Sequence, residues 1–125
     1  VFYVEDKTPN WQILKKDLNN NLALVKLEGD NFTPVGFADF NNLRLGERVF
    51  LIGASTWKTG LRKTVNEGVL SFLDENLIQT NIIEKNFLQG SCLFDIKGDA
   101  VAINYFTNSG FSSIPMAKVR DFAGI

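Results

Sequence analysis

Residues 76–104 read NLIQTNIIEKNFLQGSCLFDIKGDAVAIN, and this stretch decides the fold. Asp74-Glu75-Asn76 is a polar turn leading into a short apolar run, Leu77 to Ile82, which predicts a strand. Leu93 to Ile96 and Ala100 to Asn104 are two further apolar runs. Lys97-Gly98-Asp99 separates them, and a glycine between two such runs predicts a β-hairpin. The loop before the hairpin, Lys85 to Leu93, has no apolar periodicity.

The same pattern continues outward. Val1–Val4 predicts a strand, Glu5 to Asn10 a turn, and Trp11–Leu14 a second strand. Lys15 to Asn21 is polar and ends in three asparagines, whose side chains bond nearby backbone and favour turns. Leu22–Leu27, Arg48–Gly53, Thr64–Leu73 and Ser113–Met116 predict more strands, with an irregular connector near 32–47. Gly68 inside the Thr64–Leu73 run marks a bulge or a close approach of two backbones. Met116 to Phe122 predicts a closing helical turn with Ala117, Val119 and Phe122 on its apolar face. The class is all-β. Spacing alone leaves barrel and sandwich both open.

The 125 residues make one domain or part of one, and 45% are hydrophobic, enough for an ordinary core. Thirteen basic against fourteen acidic residues leave no electrostatic case for nucleic acid or an anionic membrane as partner. No apolar run approaches the ~20 residues of a membrane-spanning helix, so no membrane insertion is expected. One cysteine allows no internal disulfide. With no histidine, the chain alone cannot build a Ser-His-Asp or Cys-His arrangement, or histidine-ligated zinc. Neither a metal nor another cofactor is expected.

Five segments, in order, carry a resemblance to the HtrA/DegP-like branch of trypsin-type serine proteases. Asn19 to Leu27 (NNNLALVKL) is similar to the family's segment around its catalytic aspartate, and Phe40 to Gly53 to its crossover between barrels. Val65 to Ser71 (VNEGVLS), Leu93 to Asn104 with the strand and loop before it, and Ser109 to Met116 (SGFSSIPM) resemble successive parts of the second barrel. The resemblance implies a trypsin-like double β-barrel: 1–30 as the end of barrel one, 31–47 as connector and 48–125 as barrel two. It also implies that the chain is incomplete at its N-terminus, with the family's histidine upstream of Val1. A cell-envelope or secreted location is what the family usually implies.

At the catalytic positions the chain departs from the family. Asn21 stands at the aspartate, Gln89 at the serine and Phe87 at an oxyanion-hole glycine. An amide neither attacks a carbonyl as an activated serine does nor titrates. It also supports an imidazolium poorly in place of aspartate, and a bulky side chain disfavours the glycine backbone path. The resemblance therefore implies a protease homologue without protease chemistry, a pseudoprotease serving as a peptide-binding or scaffolding module. The family pairs substrate as an added strand with the segment that is here Asn104-Tyr105-Phe106-Thr107, and strand addition needs only free backbone groups.

Other readings compete. Ser91 is a rival nucleophile, but treating it as the family serine requires deleting two residues before Leu93 and leaves no glycine after it. Cys92 is a rival thiol, since related viral proteases use cysteine in this loop; without a local base it reads as a buried inert thiol. Either would need a histidine from outside the chain. A purely structural or oligomerisation domain is a third reading, and the oligomeric state stays open. Trp11 and Trp57 read as packing anchors, Lys15-Lys16 and Arg62-Lys63 as solvated faces, and Asp74-Glu75 as a hairpin tip.

Overall fold

A computed structural model of the chain describes residues 9–57, 60–84, 88–108 and 110–125. Val1–Val4, Phe87, Ser109 and the side chain of Trp57 lie outside that set, and with them the readings placed there. Strands β1 (Trp11–Asp17) and β2 (Leu22–Leu27) form a two-stranded antiparallel sheet. Strands β3 (Arg48–Trp57), β4 (Gly60–Leu73), β5 (Ile78–Thr80), β6 (Cys92–Phe94), β7 (Ala100–Thr107) and β8 (Gly110–Pro115) close into a barrel of order β3-β4-β5-β8-β7-β6. Of the two all-β options, the barrel is the one adopted. The helix α1 (Met116–Ala123) follows and ends on Gly124 at φ +77, the left-handed stop that glycine takes without strain.

Alternation along the strands builds the core. Val49 and Leu51 on β3 are fully buried, while Ile52 between β4 and β6 faces out, 47% exposed. Leu70, Ile78, Leu93, Val101 and Ala102 join the cluster from four other strands, with Leu43, Ile82 and Leu88 contributed by the flanking loops.

Several boundaries differ from the sequence expectation. β1 runs on through Lys15 and Lys16, which pair with Leu24 and Ala23 after a bulge at Leu14. The polar turn therefore starts at Leu18. Asp17 fastens it: one carboxylate oxygen accepts from the Asn20 side chain at 2.7 Å and the other from the backbone N–H of Asn19 and Asn20. These bonds, the Asn20 side chain foremost, hold the Asp17 carboxyl below its ordinary range. β3 and β4 form one long hairpin, from Arg48↔Val69 to Trp57↔Gly60, because pairing satisfies the backbone even where the side chains are polar. β5 stops at Thr80 rather than Ile82: Asn81 turns its Oδ1 to the Val69 N–H (2.8 Å), and the Ile82 N–H takes Thr80 Oγ1 (3.1 Å). Gly68 is a close approach, since a Cβ there would meet Asn81 Oδ1 and lie 2.7 Å from Ile82 Cγ1. The register irregularity of β4 falls instead between Leu70 and Phe72.

The connector is pinned to the barrel beside β7, where Ala38 N–H donates to Ala100 O (3.0 Å) and Ala100 N–H to Gly36 O (2.8 Å). α1 ties three other pieces together. Lys15 Nζ on β1 donates to Phe122 O at 2.9 Å, Lys118 Nζ donates to Asn76 Oδ1 at 2.8 Å, and the Arg120 guanidinium sits 5.0 Å from the centre of the Phe37 ring. Among the described residues no helix is long and apolar enough to cross a membrane.

Candidate functional site

Leu88 starts the described part of the loop that leads into β6. Its side chain is buried in the core, and Gly53 on β3 makes the room: a Cβ at Gly53 would lie 2.9 Å from Leu88 Cδ2 and 3.2 Å from Ser91 Cβ. The chain then turns sharply, with Ser91 N–H donating to Leu88 O (3.0 Å). Gly90 takes φ +85, a conformation open to glycine. Gln89 is exposed on that turn. Its carboxamide is neutral, with neither a proton to lose nor a nucleophilic oxygen comparable to an alkoxide.

The loop is stitched to β7 beyond the end of β6. The last β6–β7 pair is Cys92↔Ile103. Asn104 N–H then donates to Ser91 O, and Gly90 N–H to Asn104 O, both at 2.8 Å. The side chain of Asn104 adds to this. It is 1% exposed, its Nδ2 donates to Ser91 Oγ at 3.0 Å, and its Oδ1 accepts from Ser113 Oγ on β8 at 2.6 Å. Ser91 is thus half-buried and its oxygen is already an acceptor. The structure brings Ser91 and Asn104 together and adds Ser113, which the sequence reading did not single out. The available signal was Ser112-Ser113, a polar pair inside an otherwise apolar barrel strand.

The other expected residues lie apart. Asn21 closes the β1–β2 turn at φ +53, a left-handed conformation that asparagine tolerates. Among the described residues no hydrogen bond joins it to Gln89, Ser91 or Cys92. Tyr105 and Phe106 are half-buried on β7, and the Phe106 ring meets Phe111 edge-on with centroids 5.1 Å apart. Thr107 Oγ1 donates to Gly110 O across the β7–β8 turn. A groove of about 510 Å³ lies elsewhere, between the β1–β2 turn and α1, lined in part by Lys15, Asp17, Lys118, Asp121 and Phe122. None of the loop residues lines it.

Cys92 donates its thiol to Ala102 O at 3.2 Å. Burial pushes the thiol up from 9.0 to about 12, so at neutral pH it is a thiol rather than a nucleophilic thiolate. Near pH 8 the folded protein should react with iodoacetamide about 10³-fold more slowly than the unfolded chain. Comparable rates would show that the burial is not felt. Stability carries the same signature. Below pH 9 both states hold the proton, so the thiol makes no difference. Between pH 9 and 12 only the unfolded chain releases it, so stability falls by up to ~1.4 kcal/mol per pH unit. Cys92→Ala should lack that component in urea titrations across this range.

Comparison with known proteins agrees with the barrel. The family model described as trypsin-like peptidase domain matches residues 4–103. Similar relatives include a probable serine protease do-like of Buchnera aphidicola subsp. Acyrthosiphon pisum, 31% identical over 103 residues, covering 74% of this chain and 21% of the relative. A probable periplasmic serine protease do/HhoA-like of Haemophilus influenzae is 33% identical, covering 74% and 22% respectively. A probable periplasmic serine endoprotease DegP-like of Pseudomonas putida (strain GB-1) is 32% identical over 123 residues, covering 90% and 25%. The chain therefore spans between a fifth and a quarter of the length of these relatives. With a closed six-stranded barrel, a glycine-turned loop before β6 and a match over most of its length, this chain belongs to the HtrA/DegP-like branch of the trypsin-like peptidase family.

Proposed function

We propose that this chain is a non-catalytic member of its family that binds extended polypeptide by strand addition along β7. In this reading the β1–β2 hairpin is the end of a first barrel and the closed barrel is the second. Two features speak against hydrolysis by these residues. The exposed turn carries Gln89 where the family's serine stands, and the chain contains no histidine to act as base. Ser91 is no better placed, because its oxygen accepts from a buried amide and lies inside the stitched loop.

One observation carries the binding reading. β6 pairing ends at Ile103, and loop pairing ends at Asn104. Both backbone groups of Asn104 face the β6 side. Strand groups alternate in direction with a period of two, so those of Tyr105 face β8 and those of Phe106 face the β6 side again. No described strand lies beside Phe106 there. Its N–H and C=O are hooks for one residue of an added strand, and the half-buried apolar rings of Tyr105 and Phe106 lie beside them.

The test uses fluorescein-labelled casein, a chain without stable fold, with anisotropy as readout. The full chain should bind casein without cleaving it and should not react with a fluorophosphonate. Phe106→Pro, which deletes the outward N–H, should weaken binding roughly five- to tenfold while leaving the β7–β8 ladder intact; Phe106→Ala, which loses the same ring contact with Phe111 but keeps the N–H, is the control and should bind more tightly than the proline variant. Tyr105→Pro removes a ladder bond to β8 and should destabilise the fold instead. Fluorophosphonate labelling of Ser91 would end the non-catalytic reading. Failure to bind casein would end the peptide-binding one.

A further inference from the structure

The site described above contains a buried amide bonded at both of its ends. Asn104 shares a face of β7 with Ala102 and Phe106, in a strand whose other buried members are Ala100, Val101 and Ala102. A buried amide must find partners for both of its ends. Asn104 finds them on two different elements: its Nδ2 reaches the loop through Ser91 Oγ and its Oδ1 reaches β8 through Ser113 Oγ. Its main chain holds the loop twice more, at Ser91 O and Gly90 N–H. Four hydrogen bonds therefore converge on one residue, and three of them end on residues 90 and 91. That residue also lies two positions before Phe106, whose backbone groups are the hooks.

We propose that Asn104 is a positioning residue for the peptide site: it locks residues 90–91 in line with the free edge of β7, so that the loop forms a fixed stop against which an added strand takes its register. This rests on the peptide-binding reading above. An added strand paired with Phe106 runs along the same row that β6 and residues 90–91 occupy, so its end must meet Gly90 and the exposed Gln89. A stop held by three bonds, on a residue itself anchored to β8 by a fourth, presents one geometry, whereas a loosened loop presents many, and the bound strand must then meet the cost of ordering it. The carboxamide suits this task because it donates at one end and accepts at the other. The direction of the chain is set by chemistry, since Oδ1 can only accept and the Ser113 hydroxyl must donate to it.

The experiment is casein binding by the full chain across pH 5 to 9, at temperatures where circular dichroism shows every variant fully folded. Asn104→Leu removes both contacts and should bind roughly five- to tenfold more weakly at every pH. Asn104→Asp discriminates further. Its ionised carboxylate only accepts and cannot bond Ser91 as the amide does. Its protonated form has one O–H donor and one carbonyl acceptor, which restores the pattern. Binding by Asn104→Asp should therefore be weak at high pH and recover toward that of the unaltered chain on acidification, while the unaltered chain stays flat. If the unaltered chain binds casein and both variants bind as tightly at every pH, the positioning role is overturned while peptide binding stands. If the unaltered chain does not bind at all, the binding reading falls and takes this inference with it.

Discussion

Leu51→Ala lowers the unfolding free energy by about 2–5 kcal/mol, the cost of deleting three buried carbons and leaving a partly collapsed cavity. Leu51 has no exposed surface and sits on β3, the strand that closes the barrel: it faces Asn66 on β4 and Leu93 on β6. β3 is paired on both sides, with β4 and β6, and the interior is close-packed, so the hole is shared by neighbours on several strands. Against a total stability on the order of 5–15 kcal/mol, the loss is a large fraction. In urea it corresponds to a fall of roughly 1–2 M in the midpoint with an unchanged slope. Val65→Ala is the control, since Val65 is 66% exposed on the outer face of the same hairpin. Its cost should stay within about 0.5 kcal/mol. Equal midpoints for the two variants would contradict the placement of the core.

Gly68→Val should destabilise by about 3 kcal/mol, against the trend of strand propensity. Valine is a far better strand former than glycine, and on that ground alone the change should stabilise by up to ~1 kcal/mol. Packing opposes it. The first side-chain carbon would strike the Asn81 carboxamide and come within 2.7 Å of Ile82 Cγ1. Overpacking of this kind costs about 1–3 kcal/mol. It also displaces the Asn81 oxygen that accepts the Val69 N–H at 2.8 Å, and an orphaned backbone donor costs about 1–3 kcal/mol more. The two losses together outweigh the propensity gain. Gly68→Ala separates the terms, because it brings the clash without the branched side chain. A rise in melting temperature for either variant would show that Asn81 and Ile82 move aside freely.

Much of the fold was legible because it depends on local patterns. Short apolar runs punctuated by glycine and asparagine indicated strands at nearly every place where the barrel has one. The hairpin across Gly98 follows from its turn residues: Asp95 Oδ1 accepts from Lys97 N–H and Asp99 N–H, and Gly98 takes φ +85. The misjudged ends share one cause. Lys15, Lys16, Arg62 and Lys63 look like loop residues by composition, yet each is in a strand because the backbone ladder of its hairpin runs through it, whatever the side chain. The early end of β5 has the converse origin, since the Asn81 and Thr80 side chains take backbone donors that a ladder would have used.

The candidate site divides in the same way. Residue identity settles chemistry: an amide at position 89, one cysteine and no histidine are facts of composition, and they limit proton transfer and nucleophilic attack whatever the chain's shape. Convergence is another matter. That Ser91, Asn104 and Ser113 share hydrogen bonds depends on β7 lying between the loop and β8, and on Gly53 of β3 leaving space beneath them. These contacts join residues as far apart as 53 and 113, through strand neighbours that local propensity does not rank. Only closure of the barrel chooses those neighbours, because burial of Leu51, Leu70, Ile78 and Leu93 in one cluster fixes which strands stand side by side.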